Sequence, residues 1–348
     1  MELNNLMKEL SARQLAILNA IVNEYTETAT PISSLLLVQK YFTNLSTATI
    51  RNEMAFLEKM NLIEKPHTSA GRVPSILGYQ IYNLQKLSVP IEISVKERLT
   101  RILHDRRKSI DEIINLSLQL INETTSLPAV ITEDGSNELL KRIDLIQTGP
   151  LSALIIIVSS SNRVIQHLIT LDPKIKFNDL VTCINVLDER LIDTPLKEVI
   201  KKLDLIKDLI KNKIYQYEYF MSEIVNKIFS YYEERKNNVQ TVGVKYLVKH
   251  NEFRDQDKLT ELLNLLENTS IWEQIALEKK LTGKTTITYG SEIGSENLAI
   301  ASTTIKLPTI NKQIAIVGPT RMNYSKIKAL LDFLKKEIEI IFGTNKNE

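Results

Sequence analysis

Thr47-Ala48-Thr49-Ile50-Arg51-Asn52-Glu53-Met54-Ala55-Phe56-Leu57-Glu58-Lys59-Met60 is the stretch on which the reading of this chain turns. Ile50, Met54 and Leu57 recur at i, i+4 and i+7, the spacing of one buried helical stripe. Ser46 or Thr47 caps the helix, which runs to Met60. Asn61 stands where the helix must end, and Asn is second only to Gly in tolerating a left-handed residue there. At about 100° per residue, an inward stripe turns Ala48, Thr49, Arg51, Asn52 and Lys59 outward or to the flanks. Four of these crowd the N-terminal half. Arg can bridge guanine O6 and N7, Asn can bridge adenine N6 and N7, and Ala or Thr can touch a thymine methyl. Thr47, at the helix start, suits a phosphate oxygen. An ordinary solvated helix face has the same spacing, so this helix alone leaves both readings open.

The flanking sequence narrows them. Upstream, Ser11-Ala12-Arg13-Gln14 is a capping box, followed by Leu15, Leu18, Ile21, Val22 and Tyr25 at helical spacing to about Glu27. Thr30-Pro31 breaks the chain, and Pro31 can open a second helix over Ile32–Tyr41. Downstream, Leu62-Ile63-Glu64-Lys65 reads as a short strand, Pro66 to Arg72 as a polar turn, and Val73 as the start of a return strand. Three helices and a small hairpin are the winged-helix order. The turn carries Lys65, His67, Ser69 and Arg72 without an acid after Glu64, so it suits phosphates or a minor groove.

Charge agrees in its distribution rather than its total, a net +2 over 348 residues. Through residue 86 there are eight Lys or Arg and seven Glu. No acid lies between Glu27 and Glu53 or between Glu64 and Glu92, the segments that hold Lys40, Arg51, Lys65 and Arg72. Such segments tolerate a phosphate backbone at close range, although an accident of composition would look the same.

Beyond Pro90, Ser94-Val95-Lys96-Glu97 resembles a capping box. Apolar residues from Leu99 to Ile121 sketch one long helix to about Glu123, with Arg101, Arg106, Arg107 and Lys108 on a solvated face. Ile143–Thr148, Leu151–Ser159 and Val164–Leu171 read as a hairpin meander. Phe177 to Glu234 is helical, and Tyr215, Tyr219, Phe220 and Tyr231 make its end a core or subunit interface. Strands return at Thr285–Tyr289, Leu298–Ile305 and Gln313–Val317 before a closing helix, Ser325–Phe342. Strands divided around a helical stretch imply one sheet domain with an insertion.

Ala48-Thr49-Ile50-Arg51-Asn52-Glu53-Met54, with His67-Thr68-Ser69-Ala70-Gly71-Arg72, Pro74, Gly78, Tyr79 and Tyr82, resembles the HrcA family of heat-inducible transcription repressors. Gly243-Val244-Lys245-Tyr246-Leu247 with Glu252-Phe253-Arg254-Asp255 resembles that family's middle block. Ile316 to Tyr324 (IVGPTRMNY) resembles its C-terminal signature. Phe56 and Asn61 depart from the pattern, which has an acid and a Gly there. The resemblance implies an α+β multidomain protein: an N-terminal winged helix-turn-helix, a GAF-like α/β domain with an antiparallel sheet, and an inserted, largely helical dimerising segment. The expected division is 1–86 for the DNA-binding domain, 87–190 for a linker helix and the first part of the GAF-like domain, 191–250 for the insert, and 251–348 for the second part. It implies a homodimer on double-stranded DNA at the CIRCE inverted repeat upstream of chaperone genes, kept active by the GroEL chaperonin. A small-molecule effector in the GAF-like domain is the alternative.

Other chemistry finds no footing. His67, His104, His167 and His250 are scattered without metal-ligand spacing, so neither metal nor cofactor is expected. Cys183, within an apolar helical pattern, reads as a small buried hydrophobe, and a lone Cys suits a reducing cytoplasm. Gly283-Lys284-Thr285 imitates a phosphate loop, but Glu278 stands where the first Gly is required. Gly318-Pro319-Thr320-Arg321 lies between a strand and a helix, where anions can bind, or Arg321 braces the turn. With no apolar run of membrane length and no nucleophile and base pairing, a cytoplasmic, non-enzymatic protein is expected.

Overall fold

The computed structural model describes residues 2–66, 71–85, 89–134, 138–161, 163–174, 176–211, 223–224, 226–227, 230, 239–268, 271–272, 275, 284–293, 295, 297–308 and 310–343. The head comprises α1 (Glu2–Glu9), α2 (Ala12–Thr28), α3 (Ser34–Lys40), α4 (Thr47–Lys59), the strands β1 (Ile63–Glu64) and β2 (Val73–Pro74), and α5 (Ile76–Gln85). The Ser11 hydroxyl and the Gln14 amide close the expected capping box on α2. Ile17, Leu18, Ile21, Leu37, Ile50, Met54, Leu57 and Leu62 bury their side chains together. α1 was not legible in the sequence; its Leu3, Leu6 and Met7 lie against this core.

α3 begins later than Pro31 suggested. Ile32 stays extended because it exchanges backbone hydrogen bonds with Arg72, at 2.8 and 2.9 Å. Ser33 then caps the helix. Pro31 crosses so close to Gly71 that a Cβ there would lie 2.8 Å from the Pro31 carbonyl carbon. The chain before α3 thereby ties down the far end of the wing.

The expected long helix is two. α6 (Ile93–Leu103) and α7 (Ile110–Thr125) are separated at His104–Ser109. The capping box of α7 is Ser109 with Glu112, which starts a new helix. Ser94 instead donates to Glu92, within 2.7 Å, and α6 has no side-chain cap.

β3 (Ala129–Asp134), β7 (Val239–Val242), β8 (Thr286–Tyr289), β9 (Leu298–Lys306) and β10 (Asn311–Pro319) form one antiparallel sheet in the order β7-β3-β10-β9-β8. Alternation along the strands sends Ala129, Ile131, Ala301, Ile314 and Ile316 to one face, under α7 and the closing helix α11 (Tyr324–Phe342). Val130, Ile300, Ala315 and Val317 go to the other, under α10 (Gln256–Glu267) and Trp272. This antiparallel sheet, covered on both faces, is the body of the chain.

The meander is not part of it, which corrects the expectation of one divided sheet. β4 (Leu140–Gly149), β5 (Ser152–Ser159) and β6 (Val164–Thr170) make a separate three-stranded antiparallel sheet. Its inner face packs on α8 (Phe177–Leu191) and α9 (Leu196–Lys211) with a core of its own. The chain thus leaves the body after β3 and returns at β7, β3's neighbour. Period-2 alternation marks a strand but not its sheet, so the sequence could not separate the two. Cys183 lies in this second core, where burial pushes its thiol up to about 12. Lys312 on β10 pairs with Asp111 at 2.7 Å and with Glu133, which accepts from Arg163 at 3.0 Å, joining the two sheets. Among the described residues, no helix is long and apolar enough to cross a membrane, and no cluster could hold a metal.

Candidate nucleic-acid interface

α4 owes its start to Ser46, whose hydroxyl accepts from the Thr49 amide at 3.0 Å. Its end follows from Asn61, held at φ 55 as the cap argument requires. Between them the buried stripe Ile50, Met54 and Leu57 fixes the rotation of the helix. Ala48, Arg51 and Asn52 are exposed, and Thr47 and Thr49 are half-buried. The structure therefore brings these five to one outward surface at the helix start, which carries no acid in its first turn. The Thr49 hydroxyl is shared with Ser46 at 2.9 Å, whereas Arg51 uses Nε on the Ser34 hydroxyl at 3.3 Å. Ser34, which steadies Arg51 from α3, follows the cap residue Ser33 and carries no sequence signal of its own.

The acids of the helix are turned elsewhere. Glu53 accepts from Gln14 at 3.0 Å and lies 3.6 Å from Arg13. Glu58 pairs with Arg72 at 2.9 Å. On α2, Glu24 is only 3% exposed and is bonded by Lys40 and by the Tyr41 hydroxyl. The Lys40 ammonium first, then the Tyr41 hydroxyl, hold its carboxyl below the usual range. Each of these three acids is paired with a base of the head, and the start of α4 keeps Arg51 and the positive end of its own dipole.

In the wing, β1 pairs with β2 through Ile63↔Pro74 and Glu64↔Val73. Lys65 is exposed at its outgoing end. Arg72, at the returning end, is half-buried, its guanidinium on Glu58 and on the Gly71 carbonyl oxygen. His67 and Ser69 lie outside the described residues, as do Tyr215, Tyr219, Phe220 and Tyr231.

Arg321 acts as a brace rather than as a site for a free anion, but it reaches across the molecule instead of staying within its turn. It is half-buried. Its guanidinium grips Glu252 through two nitrogens, and Nη1 donates to the Thr26 carbonyl on α2 at 2.9 Å. A contact across 295 positions leaves no local signal in either segment.

Two family models match the chain: "Winged helix-turn-helix transcription repressor, HrcA DNA-binding" over residues 9–88, and "HrcA protein C terminal domain" over residues 111–327. The heat-inducible transcription repressor HrcA of Ureaplasma parvum serovar 3 is 56% identical, covering 97% of this chain and 95% of that one. Its counterpart from Mycoplasmoides gallisepticum is 49% identical, covering 97% and 96%. A crystal structure described as a hypothetical protein shares the fold at a TM-score of 0.61 and 22% identity, covering 96% of this chain and 99% of its own. With a winged helix at its N-terminal end and the likeness running through head and body alike, the chain belongs to the HrcA family of heat-inducible transcription repressors.

Proposed function

We propose that the protein acts as a homodimer in the cytoplasm, binds the CIRCE inverted repeat and thereby represses chaperone genes, and that the GroEL chaperonin keeps it in the binding form. The observation that carries the DNA contact is the acid-free outward start of α4, with Ala48, Arg51 and Asn52 exposed. In this reading Arg51 and Asn52 meet base edges, Thr47 and Thr49 sit over the backbone or a methyl group, and Lys65, His67 and Ser69 follow phosphates along the wing. Arg72, engaged by Glu58, holds the wing against α4.

One winged helix spans too few base pairs to be unique in a genome, so two heads on a two-fold axis are required. We place the dimerising segment at residues 135–238, between the adjacent strands β3 and β7. Ile146, Val164 and Leu168, 49%, 53% and 63% exposed on the outer face of its sheet, give it apolar surface for a second copy. CIRCE and GroEL rest on the family resemblance. The charged cavity between body and insert, about 210 Å³ and lined by Asp111, Glu133, Arg163 and Lys312, has its charges paired with one another. It is smaller than the roughly 300 Å³ at which small-molecule sites begin, which favours a brace over an effector pocket.

The test is a shift assay of the full chain on a CIRCE duplex after mild heating, with and without GroEL and ATP. Chaperonin-dependent recovery of binding is expected. Unheated protein that ignores the duplex, or recovery that ignores GroEL, contradicts the respective half of the proposal.

A further inference from the structure

Two of the three stretches that carry the family resemblance lie far from the DNA-binding head in sequence, yet both converge on it. The middle stretch supplies Glu252 and the C-terminal one supplies Arg321 and Tyr324. Arg321 and Glu252 keep only 16% and 25% of their side chains exposed, and Nη1 of the guanidinium donates to the Thr26 carbonyl in the last turn of α2. Beside this clamp, Tyr324 on the closing helix packs edge-on against Tyr79 of α5, with centroids 5.7 Å apart, and meets the tilted ring of Tyr289 of β8 at 5.5 Å. The Asn83 amide of α5 donates to the Tyr289 hydroxyl at 3.0 Å. All three tyrosines are less than 5% exposed. Head and body accordingly share one continuous buried core rather than hanging on a linker.

A flexible tether would serve two heads that search independently. A half-buried, bidentate ion pair with a third donor on a backbone carbonyl does something else. Arg presents its donors in a rigid fork, so it fixes angle as well as distance. The carbonyl it holds belongs to α2, which packs on α4 in the same core, so the direction of α4 is referred to the body.

We propose that Arg321 is a positioning residue for operator recognition: by clamping Thr26 of the head to Glu252 of the body, it holds the two recognition helices of a dimer at one fixed separation and phase. This rests on the dimeric, inverted-repeat reading above. The clamp touches no DNA. Its effect is on which half-site spacing is accepted, not on which bases are read.

The experiment compares the full-length protein with Arg321→Ala and with Glu252→Gln, which keeps the size of the carboxylate but not its charge. Three duplexes are titrated: the CIRCE repeat, the same repeat with its half-sites moved apart by about five base pairs, half a helical turn, and a single half-site. Sedimentation verifies that each protein is a dimer. Wild type is expected to lose at least about tenfold on the re-spaced repeat, because only one head then engages. Both variants are expected to bind the native repeat about tenfold more weakly, to differ by less than about threefold between spacings, and to keep wild-type affinity for the single half-site. Variants that discriminate spacing as sharply as wild type overturn the inference. So does a parallel fall in half-site binding or loss of the dimer, which puts the effect in the fold of the head or body. Wild type that binds the repeat no better than a scrambled duplex fails earlier, at the reading on which the inference rests.

Discussion

Arg51 carries the most chemistry per atom of any residue in the head. Its Nε donates to the Ser34 hydroxyl at 3.3 Å, which ties the side chain to α3. Arg51→Ala or Asn52→Ala is expected to cost on the order of 1–3 kcal/mol on the operator and almost nothing on scrambled DNA. Equal losses on both duplexes in a filter-binding titration sink the base-reading role. Lys65 and Arg72 separate along a different axis. Lys65→Ala should lower the salt slope by about one counterion, since an exposed ammonium on the wing neutralises a phosphate. Arg72→Ala should weaken binding to every sequence while the slope stays put, because Glu58 already balances its charge. A slope that falls with Arg72 and holds with Lys65 reverses the assignment. The outward placement of Arg51 and Asn52 was legible because helical period converts spacing into direction. The Arg72–Glu58 pair was not, because it forms only once the wing folds back across α4.

Elements in the head are positioned by a few close approaches. Gly78 on α5 is one: a Cβ there would fall 2.1 Å from the Leu62 carbonyl oxygen, so α5 could not lie against the end of α4. Gly78→Ala should destabilise the head by about 1–3 kcal/mol or more, seen as a lower midpoint in thermal unfolding. An unchanged midpoint would mean the two elements part without cost. Glu24 pins α3 to α2 and brings pH dependence. Its carboxyl is held low in the fold, so its stabilisation is present above the unfolded value near 4.5 and fades as pH falls through the lower folded value. Glu24→Gln should flatten the acid limb of the unfolding midpoint against pH; an unaltered limb refutes the pin. At this scale α2, α4 and the hairpin followed from stripes and caps in the sequence. The break between α6 and α7 escaped, since Leu99, Ile102, Leu103, Ile110, Ile113 and Ile114 keep nearly continuous phase across it. Ser109 with Glu112 was the signal that marks the new start.

In the whole molecule, three parts are joined in two ways. Head and body share a core, whereas body and insert have separate cores and meet through the Lys312, Asp111, Glu133 and Arg163 cluster. Because β3 and β7 are antiparallel neighbours, a short Gly-Ser turn can replace residues 135–238 without disturbing the sheet. That deletion should yield a folded monomer that keeps half-site binding and loses several kcal/mol on the repeat. A deletion protein that still sediments as a dimer moves the interface to the head or body. The composite sheet expected from the sequence failed on a point no single strand reveals: Ile131 and Ile155 alternate alike, but one faces the body's core and the other the insert's. Whether two winged helices on one dimer read an inverted repeat is decided by the affinity of the intact protein for three duplexes near physiological salt. They are the CIRCE repeat, a scrambled sequence of equal length and composition, and one half-site. Two heads reading together are expected to hold the repeat at least about a thousandfold more tightly than the scramble, with the half-site between them. Equal affinity for the repeat and the scramble, or for the repeat and its half, would contradict that expectation.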